Sequence, residues 1–107
     1  MRFRKLHANS SEFDLRVGIL KARLAVRESR SLKDKRAVVK GLKDRLRSRF
    51  NVSVSEVGAL DNRQIAQLAV AFVSNDGKFV QSVLSKVLDF IRLNPFAELT
   101  YSEVEIF

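Results

Sequence analysis

Five basic side chains recur every three or four residues between positions 33 and 47. Because an α-helix has about 3.6 residues per turn, this spacing gathers them into one stripe roughly 80° wide. No acidic residue falls within that arc. Ammonium and guanidinium groups in such a row suit phosphates, which they would bind without reading bases. We call these residues the basic stripe: Lys33, Arg36, Lys40, Lys43 and Arg47.

The element that must position the basic stripe is a helix predicted over 31–50. Its apolar residues also recur at helical spacing, on a neighbouring side. Ser31 is a suitable N-cap, and Asp34 completes an aspartate version of the capping box. The apolar side would face the core with Leu32, Val39, Leu42, Leu46 and Phe50.

The start of this helix is a second candidate anion site. Arg27 and Arg30 precede it, and unpaired backbone N–H groups at a helix N-terminus attract phosphate or carboxylate. The alternative is structural, with Ser31 and Asp34 capping the helix and the arginines solvated.

Lys35 differs from the other cations because its helical angle places it toward the sheet. We expect a structural role, in which the ammonium snorkels to the sheet edge or to a carboxylate such as Glu56 or Glu103. A catalytic lysine is the alternative, but no other residue completes such a site.

Positive charge is concentrated in the first half of the chain. Residues 1–50 contain 16 Lys or Arg and 5 Asp or Glu, whereas residues 51–107 contain 4 and 7. A surface of one sign suits a polyanionic partner, although a basic helix face can also be merely solvated. The absence of cysteine excludes disulfides, and no apolar run approaches a membrane span of about 18 residues. We therefore expect a cytoplasmic protein without metal or cofactor.

The order of elements predicts an α+β fold. Strand patterns cover 15–27, 52–55, 66–73 and 99–107. Turn and N-cap residues at Ser74–Gly77 precede a second helix, and Asn94–Pro95 ends it. The order β-α-β-β-α-β is the ferredoxin-like two-layer sandwich, a four-stranded antiparallel sheet with two helices on one face. Its first and third strands would be central. We expect one domain over 15–107, preceded by an N-terminal arm over 1–14.

The sheet face without helices could serve a different purpose. RNA-recognition domains of this topology stack bases on aromatic residues of the central strands. Here the first strand has none and the third has only Phe72, which disfavours that mode. Lys21 and Arg23 could instead pair with Glu103 and Glu105. An apolar patch there could support a homodimer through Val17, Ile19, Ala69, Ala71 and Val73.

A small anion-processing enzyme of the acylphosphatase type is a further alternative. Such an enzyme holds phosphate in the loop between the first strand and the first helix. Arg27, Arg30 and Asn51 could take part, but the loop Glu28–Leu32 lacks the glycines of a phosphate cradle.

Several local motifs together resemble the YlxP-like family of small uncharacterised bacterial proteins. They are Ser31–Arg36, Lys43–Leu46, Arg49–Val57 and Val73–Asp76, and the resemblance extends over about 15–107. It implies a ferredoxin-like fold and no established activity, cofactor or catalytic residue. Members are often encoded beside translation initiation and ribosome-maturation factors, which implies work on RNA by association. Arg63 stands where the family commonly has tryptophan, so no role of that aromatic transfers to this chain.

These observations predict a non-catalytic accessory factor that binds RNA or a ribonucleoprotein through the first helix. The alternatives are a homo-oligomeric module whose basic face docks an acidic protein, and the anion-processing enzyme. The predicted contact residues are the basic stripe with Arg27 and Arg30.

Overall fold

A computed structural model describes residues 14–107, so the predicted arm lies outside the described residues apart from Asp14. The elements follow the predicted order. They are β1 (Arg16–Ala25), α1 (Leu32–Arg49), β2 (Ser53–Gly58), β3 (Ile65–Ser74), α2 (Gly77–Arg92) and β4 (Glu98–Ile106). The four strands form one antiparallel sheet in the order β2-β3-β1-β4. The ferredoxin-like fold and the central places of β1 and β3 are thereby confirmed.

Alternating residues of β1 bury one face of the sheet beneath the helices. Leu20, Ala22 and Leu24 are buried, while Lys21 and Arg23 between them are exposed. Helix α2 approaches β1 closely at Gly18, where a side chain would collide with Val80 and Leu84. Glycine is therefore required at this position for the two layers to meet.

Capping residues fix the start of each helix. The Ser31 side chain accepts a hydrogen bond from the Asp34 N–H at 3.0 Å. Asp34 in turn accepts from the Arg30 N–H at 3.0 Å, one residue earlier than in a standard capping box. Asp76 caps α2 by accepting from the Lys78 N–H. The first turns of both helices thus have partners for donors that the helix itself leaves open.

Phe72, the aromatic residue of the third strand, lies on the side of the sheet that the helices cover. Phe72 is buried beneath the helices and packs edge-to-face against Phe79 of α2, with ring centroids 5.7 Å apart. It shares the parity of the buried residues Leu68 and Val70 along β3. The sheet surface without helices, which we call the open face, therefore receives no aromatic ring from the described residues of β1 or β3.

Within residues 14–107, neither helix combines the length and apolar character that crossing a bilayer requires.

Candidate nucleic-acid interface

Helix α1 holds the basic stripe on its solvent side. Val39, Leu42 and Leu46 are buried against the sheet, which fixes the rotation of the helix about its axis. Lys33, Arg36, Lys40 and Arg47 are consequently exposed, and Lys43 is half-buried. The predicted division of α1 into an apolar side and a cationic side is confirmed.

The stripe runs along the flank of α1 that borders the edge strand β2. Arg47 Nη2 donates to the Val54 carbonyl oxygen of β2 at 2.8 Å. That bond occupies a backbone acceptor at the open edge of the sheet. Arg47 therefore serves the fold as well as the surface charge.

One acidic side chain reaches the stripe although its helical angle lies outside it. Lys40 Nζ lies 2.7 Å from Asp44 Oδ2, and Arg47 Nη1 lies 3.8 Å from Asp44 Oδ1. The hydrogen bond from Lys40 holds the pKa of the Asp44 carboxyl below its ordinary value. Asp44 thus offsets part of the positive charge at Lys40 and Arg47, because side chains three and four residues apart meet across adjacent arcs of a helix.

Three residues of the stripe form no ion pair with any residue in the range 14–107. They are Lys33, Arg36 and Lys43. Lys33 and Arg36 are also exposed, so both can accept an anionic partner without first losing a carboxylate of the described chain.

The two arginines before α1 differ in their surroundings. Arg27 Nε lies 2.7 Å from Glu98 Oε2 of β4, and both side chains are exposed. Arg30 is exposed and makes no side-chain ion pair with a described residue. Because Ser31 and Asp34 already take N–H groups of the first turn and of Arg30, the terminus offers fewer donors to a phosphate than expected.

The residues considered for an acylphosphatase-type site are not brought together. Arg27 and Arg30 precede α1 and Asn51 follows it, so the 18-residue helix separates them by about 27 Å. A cavity of about 680 Å³ does lie beside Arg27, but carboxylates of Glu28, Asp34 and Glu98 line it. Such a lining does not favour an anionic substrate.

Lys35 is fully buried on the side of α1 that faces the sheet, as its helical angle predicted. Its ammonium donates to the carbonyl oxygens of Ala59 at 2.8 Å, Leu60 at 3.4 Å and Ile65 at 3.2 Å. The ammonium also lies 3.0 Å from Glu56 Oε2 and forms an ion pair with it. The angles of this contact do not meet those of a hydrogen bond. Pairing with Glu56 is confirmed, and the role is structural because the ammonium fastens the loop between β2 and β3.

The open face carries the predicted apolar residues together with paired charges. Lys21 Nζ lies 3.2 Å from Glu105 Oε1, which raises the pKa of Lys21. Arg23 lies over the Tyr101 ring, 5.4 Å from its centroid, and this contact replaces the carboxylate partner predicted for it. Register pairing places the predicted patch on this face: Val17, Ile19, Ala69, Ala71 and Val73.

Two arginines that the stripe did not include lie on the opposite flank of α1, which faces α2. Arg49 is positioned over the Phe90 ring, 5.0 Å from its centroid. Arg45 lines a cleft of about 290 Å³ with residues of α2 and the following loop. Their angles on the predicted helix could have placed them there, but only the packing of α2 shows what they meet.

A curated relative and a family model cover most of the chain. The "Uncharacterized protein YlxP" of Bacillus subtilis (strain 168) is 35% identical over 91 residues, which cover 85% of this chain and 99% of that protein. Among solved structures, the "De novo designed protein Foldit4" is 18% identical with a TM-score of 0.47, covering 86% of this chain and 93% of that one. The model described as "Protein of unknown function (DUF503)" matches residues 17–104. On the family match and the YlxP relative, the chain belongs to the DUF503 family.

Proposed function

We propose that this protein is a cytoplasmic, non-catalytic accessory factor that binds RNA or a ribonucleoprotein through α1. The observation that carries the proposal is the exposed positive charge of that helix. Between Leu32 and Arg49 the sequence has eight Lys or Arg and two Asp. One of these cations, Lys35, is buried in the core, and the other seven are exposed or half-buried.

The length of the stripe suits several successive phosphates. Lys33 and Arg47 are separated by about 21 Å along the axis, since each helical residue rises about 1.5 Å. Lys33 and Arg36 would make the first contacts, because neither is engaged by a described carboxylate. Contacts to phosphates carry no base information, so binding should differ little between unrelated RNA sequences.

A second candidate is a homo-oligomeric interaction module that docks an acidic protein through α1. The open face supports this candidate, because the half-buried Ile19, Ala69 and Ala71 lie there without helices over them. The two candidates predict different partners for the same basic helix, so a polyanion other than RNA distinguishes them.

The proposal is tested by measuring affinity for two unrelated single-stranded RNAs. The variant Lys33→Gln/Arg36→Gln should bind both RNAs more weakly by a similar factor, because it removes two phosphate contacts. The matched control is Lys78→Gln/Lys86→Gln, which removes the same charge from exposed positions of α2. The control should retain most of the affinity.

Two results would contradict the proposal. Equal losses in both double variants would show that only net charge matters. Tighter binding of polyglutamate than of RNA at the same salt would favour the acidic-protein partner.

A further inference from the structure

The flank of α1 opposite the basic stripe borders a small cleft of unusual composition. The cleft has a volume of about 290 Å³ and lies between α1, the end of α2 and the loop that leads to β4. Its lining among the described residues contains two aromatic rings, a guanidinium and an amide, and no carboxylate. The lining residues are Arg45, Phe90, Leu93, Asn94, Pro95 and Phe96.

The loop at this cleft holds large apolar side chains out in solvent. Leu93 is 80% exposed and Phe96 is 67% exposed. Asn94 Oδ1 accepts the Phe96 N–H at 2.8 Å, which fixes the turn around Pro95. Phe96 is therefore presented to solvent by an ordered turn, next to the exposed Leu93.

The arginines around the cleft favour an anionic ligand, and its aromatic rings favour a ligand that contains a flat ring. Arg45 lines the cleft, and Arg49 lies over the Phe90 ring beside it. The carboxylate of Asp89, which precedes Phe90 in the chain, already has Arg92 at 3.4 Å as its partner. The Asn94 amide belongs to the turn itself, because its Oδ1 accepts the Phe96 N–H and its Nδ2 is buried without a hydrogen-bond partner among residues 14–107.

We propose that this cleft receives one unpaired base of a single-stranded RNA, stacked on Phe96. The adjoining phosphate contacts Arg45. This inference rests on the proposed RNA-binding function and specifies the form of RNA. An apolar ligand alone would leave the Arg45 guanidinium without a partner, whereas a nucleotide engages both the Phe96 ring and the guanidinium.

Arg45 and the basic stripe lie on opposite flanks of α1, so the two regions contact different parts of one bound strand. The stripe contributes salt-dependent contacts to phosphates, and Phe96 contributes stacking that releases no counterions. The two contributions are therefore separable by experiment.

The test uses the absence of tryptophan from this chain. Phe96→Trp places a single indole in the cleft, and its fluorescence should be quenched when an unstructured single-stranded RNA stacks on it. Phe79→Trp is the matched control, because Phe79 is also about half exposed on α2 but lies at the other end of that helix. The control indole should not be quenched.

A second variant gives the magnitude. Phe96→Ala should weaken single-stranded RNA binding roughly 5- to 150-fold, the range for loss of one stacked base, without changing the salt slope. Its affinity for a fully paired RNA duplex should be unchanged, because no unstacked base is available there. The exposure of Phe96 means that this variant should fold.

The failure of this inference differs from failure of the proposed function. If RNA binds with a clear salt dependence but neither quenches the indole of Phe96→Trp nor responds to Phe96→Ala, the cleft is not a base site and the stripe remains. If no RNA binds at low salt, both proposals are wrong. Quenching of the Phe96→Trp variant by an acidic peptide and not by RNA would also overturn the base site.

Discussion

At the scale of single residues, the buried ammonium of Lys35 shows how a charge is kept inside a small core. Three carbonyl oxygens and the Glu56 carboxylate surround Nζ, so its desolvation is offset by several partners. One of these partners, Ala59, has a positive φ of 56°, and no other non-glycine residue between 14 and 107 does. Lys35 thus stabilises a loop conformation that alanine rarely adopts.

Removing the Lys35 ammonium should be far more costly than removing a surface lysine. In Lys35→Met the Glu56 carboxylate and the loop carbonyls lose their shared partner, which should lower the free energy of unfolding by about 3–5 kcal/mol. Urea denaturation measures this change. Lys78→Met, at an exposed position of α2, is the control and should change stability by less than about 0.5 kcal/mol. Similar values for the two variants would contradict the structural role of Lys35.

Tyr101 offers a second test at this scale because it is the sole tyrosine. Its hydroxyl donates to Glu103 Oε2 at 2.7 Å, and this bond with the nearby negative charge raises the pKa of Tyr101 above its ordinary value. Ultraviolet titration of the phenol should therefore give a raised midpoint, and Glu103→Gln should lower it. The stabilisation is present below the ordinary pKa of tyrosine and is lost as the pH rises through the raised one. An unchanged midpoint in Glu103→Gln would exclude this hydrogen bond in solution.

At the scale of elements, α1 contains a glycine, Gly41, that the packing of the core does not require. Gly41 lies in the middle of the helix with an ordinary backbone conformation. A Cβ there would lie 3.3 Å from Arg45 Nη1, the mobile end of a long side chain. The glycine therefore costs helix stability without serving the core.

Gly41→Ala should raise the free energy of unfolding by about 0.5–1 kcal/mol, because alanine loses less backbone entropy on folding. Thermal denaturation followed by circular dichroism measures the gain. Gly18→Ala is the informative contrast and should destabilise the protein, since its Cβ collides with Val80 and Leu84. A loss of stability in Gly41→Ala would mean that Arg45 cannot move aside.

Local sequence patterns predicted the bounds of the elements well, and they predicted the contacts between elements less well. The cap at Ser31 and the apolar spacing of α1 are short-range signals, so the predicted range 31–50 agrees closely with Leu32–Arg49. The partners of Arg47 and Lys35 come from β2 and its loop, which the sequence places near α1 only after folding. The face of Phe72 follows from the burial of alternate residues along β3, because the strand is mostly apolar and its sequence pattern alone shows little alternation.

At the scale of the whole molecule, the open face and α1 are two surfaces of different character. On the open face Lys21 is paired with Glu105 and Tyr101 with Glu103, so its charges are largely balanced. A balanced, partly apolar surface suits a second copy of the chain better than a polyanion. The sequence predicted the residues of this patch, and strand register then placed them on one face.

We therefore predict a two-fold dimer formed by the open faces. Light scattering should give twice the mass of one chain, and Ala71→Glu should yield monomers because it places a carboxylate at the centre of the patch. Leu60→Glu is the control, because Leu60 is an exposed apolar residue in the loop between β2 and β3. A monomer mass for the unaltered protein at all concentrations would contradict the dimer.

The association of residues far apart in sequence was the least predictable feature of the candidate sites. Arg45 and Phe96 meet at one cleft although about half the chain separates them, and Asn51 is remote from Arg27. Helical angle assigns a residue to a flank but does not show which element packs there. The basic stripe could be found because its members lie on a single helix.

The salt dependence of single-stranded RNA binding tests the central claim most directly. Four phosphate contacts predict a slope of about −3 in a plot of log affinity against log salt concentration. Lys33→Gln/Arg36→Gln should make the slope shallower by about 1.4, whereas Lys78→Gln/Lys86→Gln should leave it unchanged. An unchanged slope in the α1 variant, or an equal change in the α2 control, would show that α1 is not the surface that binds phosphate.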